Sequence, residues 1–246
     1  MLFDLYRRRG VVLLGLLLAI PMTTVGGQSD RLPVRINDDS DWWSLTRPTV
    51  EDEEIKLQKR EIPEASFRIL GVALEDDDFK QAFATLGAAA AVVRGDASVA
   101  REQVCYMSPG TKGRTYLIFE HGEVNYSLYL FSEDRAWNGR GFCVSSAKVS
   151  ASVATMSGLH LGPTREQVIA ILGPPSIRRQ NEIRYLLEVQ KKESPEALLR
   201  ARNQHPELSQ EQLHKDFDTY DLSVYISAHF SHSRLTYLAV SMAETT

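Results

Sequence analysis

Apolar and polar residues alternate along two stretches of the chain, and this alternation predicts β-strands. The clearest run extends from Leu222 to Phe230, where every second residue is apolar. Its counterpart earlier in the chain is the apolar run from Tyr116 to Phe119, and alternation is seen again from Tyr126 to Leu130. A period of two residues describes a sheet with one packed face and one more polar face.

A second pattern recurs along the chain at nearly constant spacing. The segments 71–87 and 158–173 both begin with glycine and end in Leu-Gly. Their first glycines are 158 − 71 = 87 residues apart and their last are 173 − 87 = 86 apart. Each segment predicts a short strand followed by a capped helix that ends at a glycine.

The helix of the second segment has the clearer local signals. Thr164 and Gln167 have the spacing of a capping box, in which both side chains satisfy backbone amides at the helix start. Val168, Ile171 and Leu172 form an apolar stripe at helical spacing. Gly173 permits the positive φ that commonly ends a helix, and two prolines follow it.

The helix of the first segment starts after three acidic residues, 76–78. They suit the positive end of the helix dipole, and this interpretation is favoured over a metal site, which needs ligands that converge from several directions. Phe79, Phe83 and Leu86 are predicted to form its buried stripe.

Downstream, 119–124 and 230–235 match as hairpin connections, with a polar histidine at His121 and at His232. Their spacing, 230 − 119 = 111, exceeds 87 by 24 residues, so the second copy carries an insertion, assigned to 188–218. Ser194 and Ser209 are predicted to begin two helices within it. We therefore predict an α+β fold of two tandem units, 67–154 and 155–246, each a short helix region packed on an antiparallel β-sheet.

The N-terminus predicts export. Three arginines precede twelve apolar residues, Val11–Met22 (22 − 11 + 1 = 12), which suits a signal peptide at 1–27 better than a membrane-spanning helix. An uncleaved anchor is the alternative. An acidic extended arm, 28–66, follows, and within it the pair Trp42-Trp43 is expected to dock on the protein's own domain.

The net charge and the two cysteines indicate which partners and which compartment to expect. The formal net charge is −4, and loss of 1–27 would make it −6, so no general attraction for nucleic acid or anionic lipid is expected. No stable membrane anchor is expected after cleavage. The two cysteines, Cys105 and Cys143, predict one disulfide in an oxidising compartment.

The residues of the second segment, from Gly158 through the Thr164 helix to the Leu-Gly-Pro-Pro exit at 172–175, resemble the SmpA/OmlA (BamE-like) family. Those are small envelope proteins that assist outer-membrane β-barrel assembly. Tandem copies of a similar unit form the secreted β-lactamase inhibitor proteins. The resemblance implies a helix-on-sheet fold and a binding role. This chain lacks the lipid-attachment cysteine usual in BamE-like proteins, and it carries two copies where they typically carry one.

The candidate chemistry is sparse. Ser157 and His160 are close enough in sequence to suggest a hydrolase, but no nucleophile-elbow pattern surrounds Ser157. His229 and His232 could supply two metal ligands, fewer than zinc commonly needs, and no cofactor motif is present.

The favoured function is therefore non-catalytic binding of an envelope or extracellular protein, in assembly or as an enzyme inhibitor, with a hydrolase as the alternative. The candidate contact surface is the polar face of the sheet, with Tyr129, Tyr225 and His229 as its binding residues. The alternatives are that this face is only solvated, or that the sheet of one unit packs on the sheet of the other. The other residues predicted to project from that face are Asn125, Ser127 and Ser223.

Overall fold

The structure is a computed structural model that describes residues 34–35, 58–94, 100–122, 125–132 and 139–245 of the 246-residue chain. The predicted signal peptide, most of the predicted arm and the Trp42-Trp43 pair lie outside the described residues.

The described chain contains strands of 2 to 13 residues and four α-helices of 7 to 10 residues. The strands are β1 Val34–Arg35, β2 Gln58–Lys59, β3 Arg68–Ile69, β4 Val72–Ala73, β5 Val92–Arg94, β6 Arg101–Met107, β7 Thr115–His121, β8 Asn125–Ser132, β9 Val144–Ser145, β10 Ile177–Arg178, β11 Glu182–Lys192, β12 Thr219–Ser231 and β13 Arg234–Thr245. The α-helices are α1 Lys80–Leu86, α2 Arg165–Leu172, α3 Pro195–Gln204 and α4 Gln210–Phe217.

One mixed sheet of eleven strands dominates the fold. Its order is β1-β5-β6-β7-β8-β13-β12-β11-β10, with β2 also paired to β11 and β9 also paired to β6. The β1–β5, β2–β11 and β6–β9 pairs are parallel, whereas the long central pairs are antiparallel. The prediction of two tandem helix-on-sheet units is therefore wrong.

The sheet has two halves, which correspond to the two predicted units, and they join where β8 pairs with β13. This antiparallel ladder runs from Tyr237↔Phe131 to Ala243↔Asn125. An uncovered strand edge presents unpaired amides and carbonyls, and pairing the two edges satisfies both rows of groups at once. The repeat in the sequence predicts individual strands, but it contains no information on which edges meet.

The helices α1 and α2 pack on the same face of this sheet and share one hydrophobic core. That core joins Leu86 of α1 and Leu172 of α2 to residues of the strands in both halves. We call this side the helical face. Its strand residues include Val104, Leu117, Phe119, Leu128, Leu130, Ile183, Val224, Ile226, Leu238 and Val240.

Several local predictions are confirmed. The capping box of α2 is present, with Thr164 and Gln167 bonded to each other's backbone amides, and Gly173 ends the helix at φ +77°. At the first helix, the carboxylate of Asp76 accepts hydrogen bonds from the amides of Gln81 and Ala82. His232 and Ser233 both have positive φ, which is the hairpin turn that matches strand twist.

The predicted insertion forms the connection between β11 and β12. Both predicted helix starts are confirmed: Ser194 caps α3, and Ser209 forms a capping box with Gln212 at α4. The two strands remain paired up to Lys192↔Thr219, so the helices follow directly from the end of a long hairpin. Residues 188–192, predicted as part of the insertion, belong to β11.

Candidate functional site

The face of the sheet opposite α1 and α2 was predicted to be the binding surface, and its described side chains are largely buried. We call it the opposite face. Its second, smaller apolar cluster comprises Cys105, Tyr116, Ile118, Tyr129, Phe131 and Ala239. Phe142 and Cys143 pack against that cluster from the segment that follows β8. The alternation of the strands therefore separates two packed faces, and the second contains more polar groups.

A buried carboxylate lies at the centre of the opposite face in the first half of the sheet. Glu120 of β7 is 2 % exposed. It accepts hydrogen bonds from Arg101 at 3.0 Å, from the hydroxyl of Tyr129 at 3.2 Å and from the side-chain amide of Gln103. Burial raises the pKa of the Glu120 carboxyl above its ordinary value, and the three donors oppose that rise.

A second buried carboxylate occupies the same face in the other half of the sheet. Glu182, at the start of β11, is paired with the guanidinium of Arg184, which is 4 % exposed. One of its oxygens also accepts a hydrogen bond from Ser227 at 3.2 Å, and Arg179 lies 3.5 Å from the other. Such donors offset the large desolvation cost of a buried carboxylate.

His229 completes this second cluster. Its Nε2 lies 2.9 Å from the Ser227 hydroxyl and 3.3 Å from Glu182. In a catalytic triad the serine and the acid contact different nitrogens of the imidazole, so that the acid orients the base for the serine. Here both contact Nε2. These contacts join Glu182, Ser227 and His229 in one hydrogen-bonded cluster.

The three residues predicted to bind a partner lie on this face, but their exposure differs. Tyr129 is 1 % exposed and Tyr225 is 9 % exposed, whereas His229 is partly exposed. Tyr129 pairs across the β8–β13 seam with Ala239, and Tyr225 lies on β12. The two tyrosine rings therefore offer little contact area in this structure, and a role in partner binding stays a prediction.

The candidate hydrolase residues do not contact each other through a hydrogen bond in the described chain. The Ser157 hydroxyl pairs with the hydroxyls of Ser66 and Thr155, each at 2.9 Å. The Nδ1 atom of His160 pairs with the Gly158 carbonyl oxygen at 2.8 Å. These contacts hold the turn 155–160 against the segment that contains Ser66.

The predicted disulfide is confirmed. Cys105 lies in the middle of β6, fully buried, and it is bonded to Cys143 just before β9. The bond ties the segment before β9 to the opposite face. It is compatible with an oxidising, exported location. Among the described residues, which exclude the apolar run at 11–22, no helix is long and apolar enough to cross a membrane.

A shallow cleft of about 180 Å³ lies at the start of α2. It is lined by Arg165, Glu166, Gln180, Asn181, Phe230 and Ser233. The Arg165 guanidinium stacks 5.4 Å above the Phe230 ring and donates to the Gln180 carbonyl oxygen. Nowhere in the described chain do three or more His, Cys, Asp or Glu side chains come together in a group that could hold a metal ion.

Sequence reasoning missed the two carboxylate clusters. The signal for the first was Glu120, an acidic residue at the end of the apolar run 116–119. The signal for the second was the pair Glu182 and Arg184, two apart on a strand and therefore on one face. A charged residue inside an alternating strand is usually solvated, so only the packing reveals its burial.

Comparisons with known proteins identify no relative. No family model matches the chain, and neither a curated protein nor a solved structure matches it.

Proposed function

We propose that the protein is an exported, non-catalytic module that binds another protein of the cell envelope or extracellular space, with α3 and α4 as the contact element. One observation carries this proposal: Leu199 on α3 is 60 % exposed. A large apolar side chain exposed on a helix gains free energy when a partner covers it.

The helix pair is built as a preformed element. Ala201 and Leu213 are buried, and the rings of His205 and Phe217 stack at 5.2 Å. Both helices have serine N-caps, and they extend from a fully paired hairpin. A rigid element loses little conformational entropy when it binds, which favours affinity.

The contacts of Ser157 and His160 count against the alternative, a hydrolase that uses these two residues. The Ser157 hydroxyl bonds to two other hydroxyls, and His160 bonds to a backbone carbonyl. A serine nucleophile needs a base within hydrogen-bond reach. The resemblance of 158–175 to the SmpA/OmlA family points to a binding role as well.

The test is capture of a partner by the chain from Gln28 onward, out of envelope and secreted fractions, followed by mass spectrometry. The variant Leu199→Asp should lose the captured protein. The matched control is Met156→Asp, because Met156 is 64 % exposed on a turn outside the helix pair, and this variant should retain it. Equal capture by both variants would contradict the proposed contact, and serine-dependent turnover of ester, peptide or glycoside substrates would contradict the function.

The predicted tyrosines can be tested with the same partner. We expect Tyr129→Ala to lower the melting temperature, because the ring is buried and its hydroxyl bonds to Glu120. Affinity and melting temperature are measured together for Tyr129→Ala and Tyr225→Ala. A loss of affinity without a loss of stability would support the binding role; the reverse would make both rings packing residues.

A further inference from the structure

Basic side chains gather at one end of the sheet. The strands β6, β8 and β12 end there, whereas β7, β13 and β11 begin there, because neighbouring strands in this series are antiparallel. The connections at this end, together with β10 and the start of α2, carry seven basic residues. We call these the basic rim: Lys112, Arg114, Lys148, Arg165, Arg178, Arg179 and Arg234.

The rim is positive although the chain as a whole is negative. The acidic side chains near it in the described connections are Glu166 and Glu182, so its formal charge is 7 − 2 = +5. The connection 193–218 at the other end carries six acidic and three basic residues, a sum of −3.

Backbone carbonyls hold several of the rim's guanidinium groups. Arg114 donates to the carbonyl oxygen of Gly110 at 2.7 Å, and Arg234 donates to that of Gly162 at 3.2 Å. Arg165 donates to the carbonyl oxygen of Gln180. A neutral carbonyl fixes the position of a guanidinium without cancelling its charge. These three side chains form no ion pair with a described carboxylate, so their charges are available to an anion outside the protein.

The rim extends along the sheet. Six strand spacings separate β6 from β10, which at about 4.8 Å each is about 29 Å. The exposed side chains Lys112 and Lys148 lie towards the β6 end, and Arg178 and Arg234 lie towards the β10 end. A row of separated positive charges fits an extended anionic surface better than a single small anion.

We propose that the basic rim docks on the surface of an anionic phospholipid bilayer. The large exposed apolar residues of the described chain are Met156 and Leu199, and neither belongs to the rim. Protein interfaces depend on apolar or aromatic anchors that become desolvated, whereas adsorption to anionic headgroups requires clustered basic charge alone. The contact is peripheral, reversible and sensitive to salt.

The test uses the chain from Gln28 onward, which contains the compact unit 33–246. The apolar run 11–22 is omitted because it would itself partition into lipid. Sedimentation with vesicles of phosphatidylglycerol and phosphatidylethanolamine is measured at about 20 mM and about 150 mM salt. We expect binding that weakens with salt, and no binding to phosphatidylcholine vesicles.

Two double variants with the same change in net charge locate the contact. Lys112→Gln with Lys148→Gln should weaken binding roughly 25-fold, since each lysine near an anionic surface contributes roughly fivefold. Lys192→Gln with Lys215→Gln, at the other end of the sheet, should weaken it less than about twofold. All four lysines are exposed in the described chain.

Three results would overturn the proposal. Equal losses for the two double variants would mean that net charge, not the rim, controls binding. Equal binding to phosphatidylglycerol and phosphatidylcholine vesicles would mean that the protein does not recognise the anionic headgroup. Tighter binding to immobilised poly-glutamate than to the anionic vesicles, lost in the rim variant, would assign the rim to an acidic protein. The assay contains no protein partner, so its outcome is separate from that of the capture experiment.

Discussion

The two faces of the sheet are both buried, yet they are built from different chemistry. On the helical face, Leu117, Leu128 and Leu130 are at most 2 % exposed, and they pack with α1, α2 and the other strands into one apolar core. On the opposite face, Glu120 and Glu182 are at most 8 % exposed, and each is held by an arginine and by neutral donors.

Burial of a sheet face does not by itself mean that the face stabilises the fold. An apolar side chain gains free energy when it leaves water, whereas a buried ion pair at best approximately offsets the cost of desolvation. The helical face should therefore contribute most of the folding free energy. The opposite face should constrain the geometry, through the fixed positions of its donors and through the Cys105–Cys143 bond.

Leu130→Ala should produce one of the two largest effects, because this side chain is fully buried on the helical face. Loss of its contacts and the cavity that remains should lower the free energy of unfolding by about 2–5 kcal/mol. Urea unfolding measures the change. A loss below about 1 kcal/mol would mean that the helical face is loosely packed and would remove the contrast between the faces.

Reduction of the Cys105–Cys143 disulfide should lower the free energy of unfolding by about 4 kcal/mol, from the loop entropy released in the unfolded chain. The sequence separation is 38 residues, long enough for a large effect. Thermal unfolding with and without a reducing agent measures it, and labelling of the unfolded, unreduced protein should detect no free thiol. Two labelled thiols would contradict the bond.

Glu182→Gln should lower the free energy of unfolding by about 3 kcal/mol, because it leaves the buried Arg184 without its carboxylate. Glu188→Gln is the matched control on the same strand and the same face. Its partner Lys59 has a side chain that is 79 % exposed, so the control should change stability by less than about 1 kcal/mol. Equal effects would show that the Glu182 cluster is as well solvated as a surface pair.

Glu120 should produce the smallest effect, visible as a dependence of stability on pH. Burial raises the pKa of its carboxyl above 4.5, so the folded state binds the proton more tightly than the unfolded state does. The free energy of unfolding should therefore fall as the pH rises from about 4.5 through the raised pKa. Urea unfolding at several pH values should show that this contribution is absent in Glu120→Gln. If the free energy of unfolding of Glu120→Gln depended on pH as it does in the unchanged protein, a group other than Glu120 would be responsible.

The sequence by itself determined the local structure. The capping boxes at Thr164 and Ser209 formed as predicted, because each depends on two side chains three residues apart. The disulfide followed from there being two cysteines in the chain and from the predicted export. The alternation of residues 222–230 predicted β12, since the period of two is a property of the strand alone.

The tertiary structure alone decided how these elements combine. The pairing of β8 with β13 turned two predicted units into one sheet, because backbone hydrogen bonds at a strand edge do not depend on side-chain identity. The burial of Glu120 and Glu182 depended on which strands became neighbours. The basic rim arose in the same way: residues between 112 and 234 in the sequence meet at one end of the sheet, where local charge differs in sign from the net charge of −4.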